Sequence, residues 1–415
     1  MSEHAGRERK SVKLVIVGAG NRGTNYANYA LEHADLCQVV AVAEPREPRR
    51  KEMAACHGVP DEMTFHSWEQ LKVLPKLGDA VVIATLDSMH KEPAIFFAQQ
   101  GYHILLEKPM APNEEDCREI VEAVKKAGVI MAIGHVMRYT PYSRKIKQIV
   151  DSGALGELIS VQHLEPVGWF HFAHSYVRGN WRREDETSSS LLAKSCHDID
   201  WIRWIVGKKC VSTSSFGTLN HFRKEKKPEG AGTRCLDCRV ERECPYSAKK
   251  IYLERIEGGH TKWPVSVIVD DHPTVANVRE ALETGPYGRC VYECDNDVMD
   301  NQVVNMLFEE GKTASFSMIA FTKELEGDGH RVTTFDFNSL QTASCCPTEE
   351  DAKPDTKLTG HDFGDYYLMK DFVDAVGFND PSFISSTPEE TLESHVMVFR
   401  AEKARKDNVV ASLDW

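Results

Sequence analysis

The segment Leu14-Val15-Ile16-Val17-Gly18-Ala19-Gly20-Asn21-Arg22-Gly23 constrains what this chain can fold into more than any other. An apolar run ends on a glycine and passes into a stretch of helical character over residues 24–32. Strand, tight turn and helix in that order open a βαβ unit. Gly18 permits the turn, Gly20 lets a ligand approach the backbone closely, and Gly23 lets the helix pack on the strand. The first turn, with Asn21 and Arg22, presents backbone N–H groups suited to phosphate.

Apolar runs recur at residues 38–43, 80–84, 103–106 and 129–133, separated by helical stretches. Short runs that are apolar throughout read as parallel strands buried on both faces. They predict a doubly wound Rossmann sheet over residues 11–140, and with the glycine turn they make it a dinucleotide site. Glu44 closes the second run 21 residues past Gly23, close to the spacing for an acidic ribose ligand. A carboxylate accepts from a ribose 2'-hydroxyl and repels a 2'-phosphate, which favours NAD. Arg46 can instead clasp a phosphate, so NADP stays open. Ligands of such sheets lie beyond the carboxyl ends of the strands, which brings in Thr85, His90, Glu107 and Lys108.

With 415 residues the chain is too long for one ordinary core and suits two domains. Hydrophobic residues at 41% and charged residues at 27% fit a globular protein, and no apolar run reaches the roughly 20 residues a membrane span needs. A net charge of -13 argues against a nucleic-acid partner, which needs clustered cations. The polar residues 1–10 read as a flexible tail, and twelve cysteines without a secretory segment read as thiols of a cytoplasmic protein.

The glycine turn, Ala84-Thr85 with His90, Glu107-Lys108-Pro109, and Gly153-Ala154-Leu155-Gly156-Glu157 together resemble the Gfo/Idh/MocA oxidoreductases, a family that includes inositol and glucose-fructose dehydrogenases. The resemblance covers nearly the whole chain. It implies that Lys108 lies by the nicotinamide and the substrate, with a peptide bond before Pro109 that is often cis. The residues agree, because a lysine at the mouth of a sheet beside a cofactor that is cationic when oxidised suits proton transfer.

Ala193-Lys194-Ser195-Cys196-His197-Asp198-Ile199-Asp200 resembles the family's helix on which an Asp and a His four residues apart face the substrate and a second Asp follows. His197 and Asp200 match. Ala193 stands where the first Asp belongs, with Lys194 beside it, so the usual i, i+4 proton relay is incomplete. His197 is the candidate to exchange a proton with a substrate hydroxyl, Lys194 the candidate to join the relay, and Asp200 the candidate to orient neighbours; Asp198 reads as solvated or structural.

Residues 141–415 read as an α+β domain with a large, mainly antiparallel sheet: alternation at 158–163 and 313–320 suggests strands, Glu310-Gly311 a turn, and residues 365–376 and 387 onward two helices. The last helix has the option of packing back on the first domain. The resemblance implies a homo-oligomer built on this sheet. Within it, residues 169–183 interleave aromatics with hydrogen-bonding groups, which suits a polyhydroxylated ring and makes Tyr176, Arg178, Asn180 and Trp181 candidate substrate contacts. Cys235, Cys238 and Cys244 have the spacing of half a zinc knuckle, the fourth ligand falling to Cys210, Cys290, Cys294 or a histidine. Free thiols or a disulfide are the alternative.

The leading reading is an NAD-dependent oxidoreductase acting on a secondary hydroxyl of a sugar, inositol or related cyclic polyol. A glycosidase using NAD for transient oxidation and a non-catalytic dinucleotide sensor are the other two.

Overall fold

In the computed structural model, β1 (Val12–Val17), β2 (Cys37–Ala43), β3 (Thr64–Phe65), β4 (Ala80–Ile83), β5 (His103–Leu106) and β6 (Met131–Ile133) form one sheet in the order β3-β2-β1-β4-β5-β6. Every pair in it is parallel. The structure describes residues 9–323, 332–336, 341–345, 354, 356–413 and 415; of the tail expected at residues 1–10, residues 1–8 lie outside them. Connections between parallel strands need crossover helices, and the sequence supplies them at Glu47–His57, Lys91–Gln99 and Glu114–Ala127. The last of these shows how locally its ends are written. Asn113 caps its start by accepting from the Asp116 N–H, Gly128 ends it in the left-handed region, and Cys117, Ile120, Val121 and Val124 form its buried side.

The chain divides into two compact units, one of residues 1–158 and 329–395 and the other of residues 159–328 and 396–415. A late helix, Gly364–Phe378, therefore completes the first unit. Its Leu368, Met369, Phe372 and Val376 join Leu14, Ile16, Tyr26 and Tyr139 in one apolar cluster.

In the second unit β7 (Ser160–Pro166), β8 (Cys210–Thr218), β9 (Asn301–Phe308) and β10 (Thr313–Ile319) form a sheet. A separate two-stranded ribbon, β11 (Val332–Asp336) with β12 (Gln341–Cys345), precedes β13 (Ala411–Ser412), and the larger sheet has the order β13-β8-β9-β10-β7. It is antiparallel apart from the β10–β7 pair. Glu310 and Gly311, both at positive φ, turn the chain between β9 and β10 as a tight hairpin requires. Period-2 alternation puts Val304, Met306, Ala314, Phe316 and Met318 inside, and leaves Leu164, Phe216, Val303 and Leu307 exposed on the other face. The architecture is α/β, a doubly wound parallel sheet plus an α+β unit whose sheet is mainly antiparallel. That places the strand ends of the first unit and the covered sheet face of the second as the positions to examine.

Candidate functional site

At the carboxyl end of β1 the glycines are held by contact. Gly18 has φ +93, and a Cβ there would meet the Ala84 carbonyl oxygen at 2.5 Å; one on Gly23 would stand 1.9 Å from the Gly18 carbonyl oxygen. Gly20 differs, since a Cβ would meet only the Arg46 guanidinium at 3.6 Å. The turn is therefore tight at its ends and open in the middle, as a cradle for a pyrophosphate should be. No side chain caps the first turn of the Asn21–Ala27 helix, so its backbone donors remain for a phosphate.

Glu44 is buried at the end of β2 and its carboxylate is well supplied with donors. The Ala19 N–H donates to Oε2 at 2.8 Å, and Arg46 donates to Oε1 from its N–H at 3.0 Å and its Nε at 2.7 Å. Burial opposes ionisation of Glu44, but these bonds and the Arg46 charge outweigh it and hold the carboxyl below its ordinary value. A negative charge is thus fixed at the carboxyl end of β2.

Three of the residues expected at the cofactor have side chains that tie the scaffold together. Arg22 donates from Nε to Glu107 Oε1 at 2.5 Å, from Nη1 and Nη2 to Asp365 at 2.9 and 2.7 Å, and from Nη2 to the Tyr26 hydroxyl at 2.6 Å. Its guanidinium is committed, which leaves only its backbone for a phosphate. Glu107 spends its other oxygen on the Lys108 N–H, so it orients the lysine's backbone. His90, fully buried, sets one ring nitrogen 2.9 Å from the Pro109 carbonyl and the other 3.2 Å from that of Thr85. It ties the loop after β4 to the turn after β5. Lys108 itself sits half-buried on that turn, followed by a cis bond to Pro109.

The second unit holds a buried chain of charged groups between β7 and the helix Cys196–Val206. Lys194 Nζ lies 2.6 Å from Glu165 Oε1 and 3.2 Å from His197 Nε2. His197 Nε2 is 3.4 Å from Asp198 Oδ2, and Asp198 Oδ1 is 2.8 Å from His163 Nε2. Glu165, Lys194, His197 and Asp198 are all buried. A charged Lys194 donates to Nε2, which leaves Nδ1 as the proton-bearing nitrogen of the His197 ring. The carboxylate missing at position 193 is therefore matched in space by Glu165, reached across the sheet rather than along the helix. Neither Glu165 nor His163 stood out in the sequence, although His163-Leu164-Glu165 puts two titratable groups on the face of a strand that should be apolar. Asp198, expected to be solvated or structural, is fully buried, which removes the solvated alternative.

The aromatic segment folds as the helical turns Trp169–Phe172 and Ala173–Arg178. Tyr176 is buried, its ring 5.0 Å from that of Phe172 and 6.2 Å from that of Trp181; Trp181 is half-buried, Asn180 exposed and Asp200 fully buried. Burial, followed by the charges of Arg178 and Arg255, pushes His174 down to about 3, so its ring is neutral beside the Tyr252 hydroxyl at 2.8 Å. Arg178 is not a substrate contact. It is 1% exposed and donates to the carbonyls of Arg289 and Tyr246 at 2.8 Å each and to Cys235 Sγ at 3.3 Å. Cys235, Cys238 and Cys244 form no disulfide.

Two family profiles match this chain. One, described as the oxidoreductase family with an NAD-binding Rossmann fold, matches residues 12–135, and the other, the GFO/IDH/MocA C-terminal domain, matches residues 143–242. The chain belongs to the Gfo/Idh/MocA oxidoreductases. Among its relatives, the 2,7-anhydro-N-acetylneuraminate hydratase of Escherichia coli (strain K12) is 29% identical over 195 residues, covering 46% of this chain and 49% of that protein. The scyllo-inositol 2-dehydrogenase (NAD(+)) of Bacillus subtilis (strain 168) is 26% identical over 211 residues, covering 50% and 58%. The chain spans about half the length of the curated relatives it matches. The fold of this Gfo/Idh/MocA member is that of the solved scyllo-inositol dehydrogenase from Lactobacillus casei with bound NAD(H) and scyllo-inositol, at a TM-score of 0.63, 17% identity and coverage of 97% and 99%. Among the described residues no helix is long and apolar enough to cross a membrane.

The Arg22 cluster sets an acid limit. Burial opposes ionisation of Asp365, but the charges of Arg22 and His361 outweigh it and hold the carboxyl far below the usual range. Its stabilising contribution is complete above the unfolded value of about 3.9 and drains away as pH falls toward the folded value. Asp365→Asn should lower the urea midpoint at neutral pH, with the gap to wild type shrinking between about pH 5 and about pH 3; a gap that stays constant would refute the assignment.

Proposed function

We propose that this chain is an NAD(P)-dependent dehydrogenase that transfers a hydride between a secondary hydroxyl of a sugar, inositol or related cyclic polyol and the nicotinamide. The observation that carries the reading is the buried Glu165, Lys194, His197 and Asp198 chain, with Lys194 2.6 Å from Glu165 and 3.2 Å from His197. Oxidising a hydroxyl requires a group that takes its proton as the hydride leaves, and such a chain can accept and redistribute one. The nicotinamide, when bound, supplies the hydride chemistry.

In this reading the backbone at Gly18, Gly20, Asn21, Arg22 and Gly23 holds the pyrophosphate and Thr85 borders the cofactor. Glu44 takes the ribose, which favours NAD. Lys108, on its braced turn, manages charge near the nicotinamide, as the Glu-Lys-Pro resemblance implies. His197 exchanges the hydroxyl proton, Lys194 is held against it by Glu165, and Asp200 orients neighbours. Tyr176, Asn180 and Trp181 are left as the polyol contacts. The scyllo-inositol dehydrogenase relative supports a cyclic polyol.

A second reading follows from the relative named a hydratase, at 29% identity. Adding or removing water needs no net oxidation, so a bound nicotinamide would leave the turnover in the oxidation state in which it entered. Steady NADH accumulation on a polyol panel supports the dehydrogenase; product without NADH supports the second reading, and cofactor binding without any turnover makes the chain a sensor. Lys108→Ala should lower kcat by about 10²–10⁴ with NAD binding close to wild type, and Glu165→Gln should lower kcat and shift its pH profile. Unchanged kcat in both would sink the proton-handling assignment.

Glu44→Ser should raise the ratio of kcat/KM for NADP over NAD by about tenfold, because it removes the charge set against a 2'-phosphate. An unchanged ratio would show that Glu44 does not face that position. The open face of the five-stranded sheet, with Phe216 62% and Leu164 54% exposed, is where we place a homo-oligomer contact. Phe216→Asp should lower the solution mass measured by light scattering; a wild-type chain that is already monomeric removes the proposal.

A further inference from the structure

Away from the groups described above, four cysteines line one small cavity in the second unit. Cys235, Cys238, Cys244 and Cys290 share its wall with the buried Arg178, and its volume is about 20 Å³, about one water-sized sphere. The fold brings them there by two devices. Arg234 and Arg289 form an antiparallel bridge, with the Cys235 N–H donating to the Gly288 carbonyl at 2.9 Å and the Cys290 N–H to that of Thr233 at 2.8 Å, so residues 55 apart in sequence face one wall. Successive tight turns then carry the chain from Cys235 through Cys238 to Cys244, with the Cys238 N–H on the Cys235 carbonyl at 3.4 Å and the Cys244 N–H on that of Glu241 at 3.1 Å.

The electrostatics of the cavity lack an anion. Arg178 is 1% exposed, and its partners are two carbonyl oxygens and the Cys235 sulfur, with no carboxylate among them. Its Nη1 is buried without a hydrogen-bond acceptor. A desolvated guanidinium is costly unless a negative charge stands near. The one carboxylate in the wall, Glu241, is engaged by the Ser247 hydroxyl and lies 3.7 Å from Lys249. Two sulfurs already accept from fixed donors, Cys235 from Arg178 and Cys238 from the Gly232 N–H, both at 3.3 Å. N–H groups aimed at sulfur are the usual outer support of a thiolate ligand set.

We propose that Cys235, Cys238, Cys244 and Cys290 form a structural zinc site whose net negative charge is partly offset by Arg178. Four thiolates around one ion are the ligand set of zinc, and a cavity the size of a single sphere takes one ion rather than a cluster. Each thiol gives its proton to solvent as the ion binds. Among the described residues no such group already stands at ligating spacing, so the ion draws the sulfurs inward from the cavity wall to about 2.3 Å. Cys290 is the fourth ligand. Cys210 lies on β8 with its sulfur 3.5 Å from the Ser212 carbonyl, and Cys294 directs its sulfur to the Cys290 carbonyl at 3.3 Å. The metal would staple residues 235–290 together and, through Arg178, steady the aromatic segment that ends at that residue.

The test uses the full chain, expressed with zinc in the medium and analysed for metal. About one zinc per chain is expected, released in step with the blocking of four thiols by a mercurial. Cys290→Ala should cut the zinc content about tenfold while Cys210→Ala leaves it unchanged. Should the Cys290 variant fail to fold, cobalt exchanged into the wild-type chain provides a second readout, the intense thiolate-to-cobalt band in the near ultraviolet. Absence of zinc together with absence of that band, a disulfide among the four cysteines, or iron in place of zinc overturns the proposal.

Discussion

The first unit depends on one buried charge cluster. Arg22 comes from the helix after the glycine turn, Glu107 from the end of β5, and Asp365 from a helix more than three hundred residues later, and the three meet with the Tyr26 hydroxyl among them. A guanidinium and two carboxylates removed from water are tolerable only when paired and hydrogen-bonded, so none of the three elements can shift without exposing a charge in the interior. The cluster therefore fixes the glycine turn, the Lys108 turn and the late helix as a single body. Glu107 passes the constraint on, because the oxygen that does not meet Arg22 holds the Lys108 N–H. The placement of the lysine's backbone is thus a consequence of the ion pairing behind it.

The second unit solves a related problem by different means. On a single helix, an acid and a histidine four residues apart share a face by geometry alone. With alanine at 193 that route is closed, and the carboxylate arrives from β7. Period-2 alternation puts His163 and Glu165 on the face that the Cys196–Val206 helix covers, where Glu165 meets Lys194 and His163 meets Asp198. The lysine then mediates between a carboxylate and the histidine. Such an arrangement holds its positive charge in place by a partner on another element, so its geometry is as rigid as the sheet.

What could be read from the sequence was local, and what could not was long-range. The runs at 80–84 and 103–106 emerged as β4 and β5 with at most a one-residue difference because both faces of those strands are buried and, apart from His103 at the start of β5, every residue is apolar. β3 escaped because two residues carry no period. The glycine turn, Glu44 and Glu107-Lys108-Pro109 were legible as residue types in a fixed order. What the Arg22 and Arg178 side chains do was not legible for the same reason: a guanidinium on a functional motif can be a tie rather than a contact, and its partners decide. Those of Arg178 lie 57 to 111 residues away, and Asp365 lies 343 from Arg22. No local pattern reports such distances.

Cofactor choice illustrates the same dependence on partners. Glu44 alone argues for NAD, yet its carboxylate already receives Arg46 at 2.7 Å and the Ala19 N–H at 2.8 Å. The two donors differ in kind. Ala19 belongs to the glycine turn and stays with the fold, whereas the Arg46 side chain is 40% exposed and can swing away at little cost. A ribose diol would take the oxygen that Arg46 vacates and leave the Ala19 bond intact. A 2'-phosphate would need the Arg46 side chain to leave the carboxylate and face the phosphate, with the Glu44 carboxylate, still held by the Ala19 N–H, beside it. In the proposed reading, a preference for NAD would rest on the charge that the Ala19 N–H and Arg46 hold on Glu44 against burial, with Arg46 deciding how strict that preference is.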